Sequence, residues 1–191
     1  MKVVKDIFVF GCTVALRFGD LISITHQNIY EYSGNTYLKV TSLKTATPTS
    51  MKLPDYALKI VNKYSKKSRH RIFPKYTNGR FNVLIKVLAR KMKLNTEIKK
   101  YRSKRGVKYP IYKNKATKKH FTMADHITTH TMRRTAITTM LRLHVPEQIV
   151  RKISGHSANS AEFFKYVEFA QSYLDEHTEV YFEKMKNMRK E

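Results

Sequence analysis

At 191 residues and 41% hydrophobic content, the chain has enough apolar material for one well-cored domain and too little for more than two small ones. Its 38 Lys+Arg against 14 Asp+Glu give a formal charge of +24, far beyond what solubility requires, so a polyanion, first of all nucleic acid, is the expected partner. No run approaches the 18 apolar residues of a membrane span, and the single cysteine, Cys12, excludes a disulfide or zinc framework. The opening lysines before an apolar stretch resemble a signal peptide only weakly, because Asp6 and Arg17 interrupt it, and the expected location is the cytoplasm or wherever a nucleic-acid partner resides.

Residues 3–16 place Ile7, Phe8, Val9, Cys12, Ala15 and Leu16 at mostly helical intervals, which predicts a helix ending near Arg17 with a break at Phe18-Gly19. Asp20 fits an N-cap for a short second helix, so Arg17 falls at a helix-to-helix corner. From Ile29 the pattern turns β-branched and alternating. Two strands around Ser33-Gly34-Asn35 and a third at Ser50–Leu53 predict a three-stranded antiparallel sheet, with Lys44 where the second strand meets its loop.

Amphipathic helices are expected over Tyr56–Tyr64, before a polar run from Ser65 to Arg71, and again from Asn78 to Leu94. Residues 97–120 are the most basic part of the chain. Gly106 between two alternating runs there suggests a basic β-hairpin whose Lys99, Lys100, Arg102, Lys104, Arg105 and Lys108 contact DNA phosphates without reading sequence. Thr128 or Thr129 caps a helix carrying His130 and Arg133, Pro146 opens the next, and Gly155 ends it just before His156. Asn159 or Ser160 starts a helix through Tyr166, and a separate last helix is expected from Ser172 to Met188. The expected class is therefore α+β, mainly α-helical, in one domain spanning 1–191.

Chemistry concentrates at His130-Thr131-Met132-Arg133-Arg134, Ser154-Gly155-His156 and Tyr166. On a helix, His130 and Arg133 share a face and can address one small anion. Guanidinium and imidazole groups can supply charge and protons to a phosphodiester while a phenol supplies the nucleophile, so the set calls for no metal or cofactor. Taken singly, each residue has a plainer explanation: a helix-terminal arginine, a solvated hairpin lysine, or one of twelve tyrosines.

Together, Ala15-Leu16-Arg17-Phe18-Gly19-Asp20, Thr41–Thr45, His130–Thr135, Ile153–His156 and Phe164–Tyr166 resemble, in order, the motifs of the tyrosine recombinase catalytic domain, the phage-integrase family, in the form carried by integrases of mobile elements. The resemblance implies a site-specific recombinase that acts on double-stranded DNA as a homodimer or homotetramer, with no membrane and no cofactor. It implies Arg17 and Arg133 as phosphate clamps, Lys44 as acid to the leaving oxygen, His130 as proton carrier, His156 as phosphate ligand and Tyr166 as nucleophile, with Asp20 supporting the Arg17 corner. The loop after Lys44 is about two residues longer than the family pattern, and Tyr166 lies one residue further from His156, which leaves Tyr173 as the alternative nucleophile. In the family, an N-terminal domain clamps the opposite DNA face, and nothing in this sequence corresponds to it. A type IB topoisomerase and a non-catalytic basic DNA-binding module share enough of these features to stay as alternatives.

Overall fold

In the computed structural model, residues 1–65 and 70–188 are described, and the middle of the polar run after Ser65 falls outside them. Helix α1 (Lys2–Val14) buries Val4, Ile7, Phe10 and Val14, the stripe that its apolar spacing dictates. It ends at Val14, three residues short of the expected end near Arg17, where Ala15 takes a left-handed conformation with φ 55. The break is therefore at Ala15, and Gly19 lies inside α2 (Phe18–Ile22). Asp20 also sits inside α2, and Arg17 holds the N-cap position instead. The Asp20 carboxylate is free for other work because the helix starts two residues before it, at Phe18.

Strands β1 (Ile29–Tyr32), β2 (Asn35–Thr41) and β3 (Pro48–Lys52) form an antiparallel sheet in the order β1-β2-β3. Ser33 and Gly34 both have positive φ, the geometry that a two-residue hairpin of this twist requires. Leu38 and Val40 point into the core while Lys39 and Thr41 point outward. Helices α3 (Asp55–Ser65) and α4 (Asn78–Lys91) follow. The carboxylate of Asp6 on α1 receives Lys63 Nζ and, at 2.6 Å, the Tyr64 hydroxyl, which ties α3 to α1.

Between α4 and α6, Glu97–Ile98 (β4) pairs with Phe121–Thr122 (β7), and between them stands the expected basic hairpin of β5 (Lys100–Lys104) and β6 (Val107–Ile111). Arg105 and Gly106 make its turn with φ of 51 and 78, and every residue of both strands is exposed. Asp125 on the short α5 (Met123–His126) anchors its base: it accepts from Arg90 of α4 at 2.8 Å, Lys113 at 2.7 Å and the Thr122 backbone at 3.0 Å. Those donors hold the Asp125 carboxyl well below the usual range despite its burial.

Helix α6 (Thr129–Arg142) has Thr128 as its N-cap residue, α7 (Glu147–Ser154) ends on left-handed Gly155, and α8 runs from Ala161 to Met188. The two helices expected after His156 are one, because no glycine or proline interrupts 161–188. Two apolar clusters form the core. One joins α1 to α4, the sheet and Met132; the other joins Ala15, Ala136, Ile137, Leu141, Val150, Phe163 and Tyr166. Helices α1 and α6 pack closely because Gly11 has no side chain: a Cβ there would lie 2.6 Å from Met132 Sδ. Gly11→Ala is therefore expected to destabilise the fold by about 1–2 kcal/mol, overpacking outweighing the gain in helix propensity, as read from the urea midpoint.

Candidate active site

Six side chains expected from the sequence come from five separate parts of the chain. Arg17 projects from the α1–α2 corner, where the left-handed turn at Ala15 swings the chain round, and its Nη1 donates to Ser42 Oγ at 3.4 Å. The next loop residue, Leu43, donates its backbone N–H to Asp20 Oδ1 at 2.9 Å. Asp20 is 3% exposed and so fixes the start of the loop that carries Lys44, a role the capping reading missed. Ala46 N–H to Ser42 C=O at 2.9 Å and Ser42 N–H to Thr47 C=O at 3.0 Å close that loop on itself. Lys44 itself is exposed and shares a cleft of about 570 Å³ with Arg17, His130 and Arg133.

His130 and Arg133 lie one helical turn apart near the start of α6. Asn78 and Asn82 of α4 set that start: their side-chain oxygens accept the Thr129 hydroxyl and the Thr129 backbone N–H, each at 2.8 Å. Arg133 is 5% exposed, and its Nη1 donates to the Ala15 carbonyl at 2.9 Å. This bond joins the α1–α2 corner to α6 and fixes the second guanidinium against the first. Burial and the neighbouring Arg17 charge lower the Arg133 pKa to about 10, which leaves it cationic at neutral pH.

Arg133 Nη2 also reaches His156 Nε2 at 3.1 Å, while His156 Nδ1 lies 2.8 Å from Ser154 Oγ. An arginine has only donors, so Nε2 is the acceptor. The Ser154 hydroxyl is 2.7 Å from the Val150 carbonyl and gives its one proton there, so Nδ1 carries the ring hydrogen. Burial, followed by Arg133, Arg17 and Arg151, pushes the His156 pKa down to about 4. His156 is therefore neutral at physiological pH.

That depression has a consequence for stability. The unfolded chain protonates His156 near the ordinary value of 6.5 and the folded chain only near 4, so this residue's share of stability falls as pH drops through that window. Between pH 7 and pH 4, His156→Asn is expected to lose less stability than wild type in thermal unfolding curves. Equal losses would refute the assignment.

Tyr166 lies on α8 and is 6% exposed. Its hydroxyl is 3.3 Å from His130 Nε2, and its ring packs edge-on to His156 and Phe163 at 6.0 and 6.4 Å between centroids. Burial and then the charge of Glu162 raise its pKa, so the phenol is protonated at neutral pH and needs a base to become nucleophilic. His130, whose own pKa burial lowers, is in reach for that task. The ten-residue interval from His156 is accommodated because α8 begins only at Ala161 and then carries Tyr166 back over α6. Tyr173 has its backbone in the same helix, and its side chain lies outside the described ones.

Residues with no expected role in the site also shape it: Ser42, Ser154, Asn78, Asn82 and Glu162. Glu162 borders the cleft next to Tyr166, one turn earlier on α8. A serine two places before a histidine and a glutamate four before a tyrosine are too common to be noticed without the fold. The six basic residues expected to contact DNA lie on the hairpin and its approach, none of them in the cleft. Among the described residues, no group of three or more His, Cys, Asp or Glu is placed to hold a metal ion, and no helix is long and apolar enough to cross a membrane.

The fold recurs in known structures. XerH site-specific recombinase bound to palindromic difH substrate, in a post-cleavage complex, matches with a TM-score of 0.61 and 10% identity, over 93% of this chain and 45% of that one. XerA recombinase matches at 0.58 and 14%, over 93% and 63%, and XerH in a pre-cleavage complex with difH at 0.58 and 10%, over 93% and 47%. The chain thus spans about half to two thirds of the length of these proteins. No curated protein matches the sequence significantly. The sequence model described as the phage integrase family matches residues 5–172, a span that contains every residue of the cleft described above, and the chain belongs to that family.

Proposed function

We propose that the chain is the catalytic part of a site-specific tyrosine recombinase, which breaks and rejoins DNA through a 3′-phosphotyrosyl intermediate. The observation that carries this reading is the Tyr166 hydroxyl, 3.3 Å from His130 Nε2, beside a cleft that presents Arg17, Lys44 and Arg133. Tyr166 Oη attacks the phosphorus of a scissile phosphodiester while His130 takes its proton. The bond from phosphorus to the 5′ oxygen breaks, and Lys44 Nζ protonates that oxygen as it leaves. The phosphotyrosyl ester keeps the bond energy, so rejoining needs no nucleotide cofactor.

Charge develops on the two non-bridging oxygens of the five-coordinate phosphorus, and Arg17 and Arg133 supply fixed N–H donors there. The Ala15 carbonyl and Ser42 hydroxyl hold those guanidinium groups before DNA arrives. His156 accepts from Arg133 in its present tautomer. It donates to a phosphate oxygen through Nε2 once the Ser154 hydroxyl turns to donate to Nδ1, an exchange the 2.8 Å contact allows.

Recombination joins four DNA ends, so the active assembly is two or four protomers on duplex DNA. The basic hairpin adds sequence-independent affinity. Lys100, Arg102 and Lys104 lie two residues apart along β5 and therefore on one face of it. Replacing these three with alanine is expected to weaken DNA binding across all sequences and reduce the slope of log K against log salt by up to about 0.9 per lost phosphate contact. Fluorescence anisotropy from low to moderate salt measures this, and an unchanged slope would remove the hairpin from the interface.

The proposal as a whole is tested by incubating the protein with two duplexes that carry a captured target site and looking for exchanged strands. Relaxation of a single supercoiled plasmid without exchange would mean a topoisomerase instead. Salt-sensitive binding with neither activity would mean a non-catalytic binding module.

A further inference from the structure

Two expected catalytic groups, His130 and Tyr166, share a neighbour with no role in the steps described so far. Glu162 occupies the first turn of α8, four residues before Tyr166 and so on the same helix face. Its Oε1 lies 4.0 Å from His130 Nε2, the same ring nitrogen that the Tyr166 hydroxyl approaches at 3.3 Å. It also borders both hollows that meet at His130, the cleft with Arg17 and Lys44 and an apolar groove between α6 and α8. Nothing in the packing demands a carboxylate there: its side chain is 66% exposed. A glutamate this near a phosphate site repels the substrate unless its charge is needed for something else.

We propose that Glu162 is a positioning residue for proton transfer, the carboxylate that receives the imidazolium formed when His130 takes the proton of Tyr166. The inference rests on Tyr166 being the nucleophile. The proton leaves Tyr166 Oη for His130 Nε2, the phenolate oxygen bonds to phosphorus, and the charged ring turns its new N–H from the tyrosine oxygen to Glu162 Oε1. The ion pair withdraws the proton from the phenolate and hinders its return before attack. In the reverse step, the proton goes back from His130 to Tyr166 as the tyrosyl ester is displaced by the 5′ hydroxyl.

The charge balance around His130 fixes the sign of the expected pH effect. Facing it are Glu162, Lys165 and Tyr166 from α8, Arg133 and Arg134 from its own helix, His126 from α5, Arg17 and Lys44 across the cleft, and His156 after α7. Burial and the arginines on α6 lower the His130 pKa, and Glu162 raises it. Removing the glutamate charge therefore lowers the pKa of the base further and leaves its charged form without a partner.

The test is single-turnover covalent capture on nicked duplexes with a randomised core, from pH 5 to pH 9, with wild type, Glu162→Gln and Glu162→Asp. The expected result for Glu162→Gln is a rate about tenfold lower at neutral pH, below the full effect of a general base, with the acid limb displaced to lower pH; Glu162→Asp restores part of the rate. A histidine NMR titration without DNA should show the His130 midpoint lower in Glu162→Gln than in wild type. Capture by wild type with an unchanged Glu162→Gln profile would overturn the inference, as would a faster Glu162→Gln, which would make the glutamate a source of repulsion only. No capture by wild type would instead refute the parent reading.

Discussion

Tyr166→Phe is expected to abolish covalent capture of DNA, lowering it by at least about 10⁴-fold, while Tyr173→Phe captures as wild type does. Only one atom is removed, the oxygen that would bond to phosphorus in the proposed reaction. The ring stays in the apolar cluster with Phe163 and Ala170, so the fold is kept. The lost contact is the 3.3 Å approach to His130, whose imidazole is exposed enough to find water instead. The variant should therefore bind DNA with wild-type affinity and salt dependence. Gel analysis of denatured complexes on nicked substrates reads the chemistry, and anisotropy reads the binding. Capture that persists in Tyr166→Phe and disappears in Tyr173→Phe would move the nucleophile seven residues along α8.

Arg133→Lys should be nearly as damaging to the reaction, and damaging to the fold as well. An ammonium group keeps the positive charge but cannot span the Ala15 carbonyl at 2.9 Å, His156 Nε2 at 3.1 Å and a phosphate oxygen at the same time. Loss of a fixed donor to the transition state costs about 10²–10³ in rate. Leaving the Ala15 carbonyl or His156 without its donor costs roughly 1–3 kcal/mol of stability. Arg17→Lys should lose rate to a similar extent but little stability, because Arg17 is only half-buried and its one side-chain hydrogen bond among the described residues, to Ser42, is long at 3.4 Å. Denaturant midpoints alongside single-turnover rates separate the two effects. Equal stability losses in both variants would contradict the bridging role given to Arg133.

Much of the scaffold was legible because its signals are local. The turns at Ser33-Gly34 and Arg105-Gly106 need two residues of positive φ, and the sequence offers glycine at the second position with alternating strands on either side. The α6 and α7 boundaries were equally clear from Thr128, Pro146 and Gly155. The site residues were legible only as an ordered set, since each alone is ordinary.

What escaped depends on contacts distant in sequence. A non-glycine residue in the left-handed region at Ala15 has no sequence mark; its carbonyl is held by Arg133, 118 positions away. Asp20 looks like a cap because it precedes an apolar run, yet the loop it holds lies 23 residues on. The continuity of α8 is a different case: the absence of glycine and proline over 161–188 is a local signal for one helix, and two were expected. The short β4–β7 pair and α5 are set by the clamp on Asp125, which joins a local capping box with Thr122 to the distant Arg90 and Lys113.

In the proposed reaction Tyr166, activated by His130 beside the Arg17 and Arg133 guanidinium groups, joins itself to DNA. The most direct measurement is protease digestion of a captured protein–DNA complex followed by mass spectrometry of the nucleotide-bearing peptide. The expected product is a phosphodiester on Tyr166, linked to the 3′ side of the break with a free 5′ hydroxyl opposite. Attachment to Tyr173, to a non-tyrosine residue, or to a 5′ phosphate would contradict it.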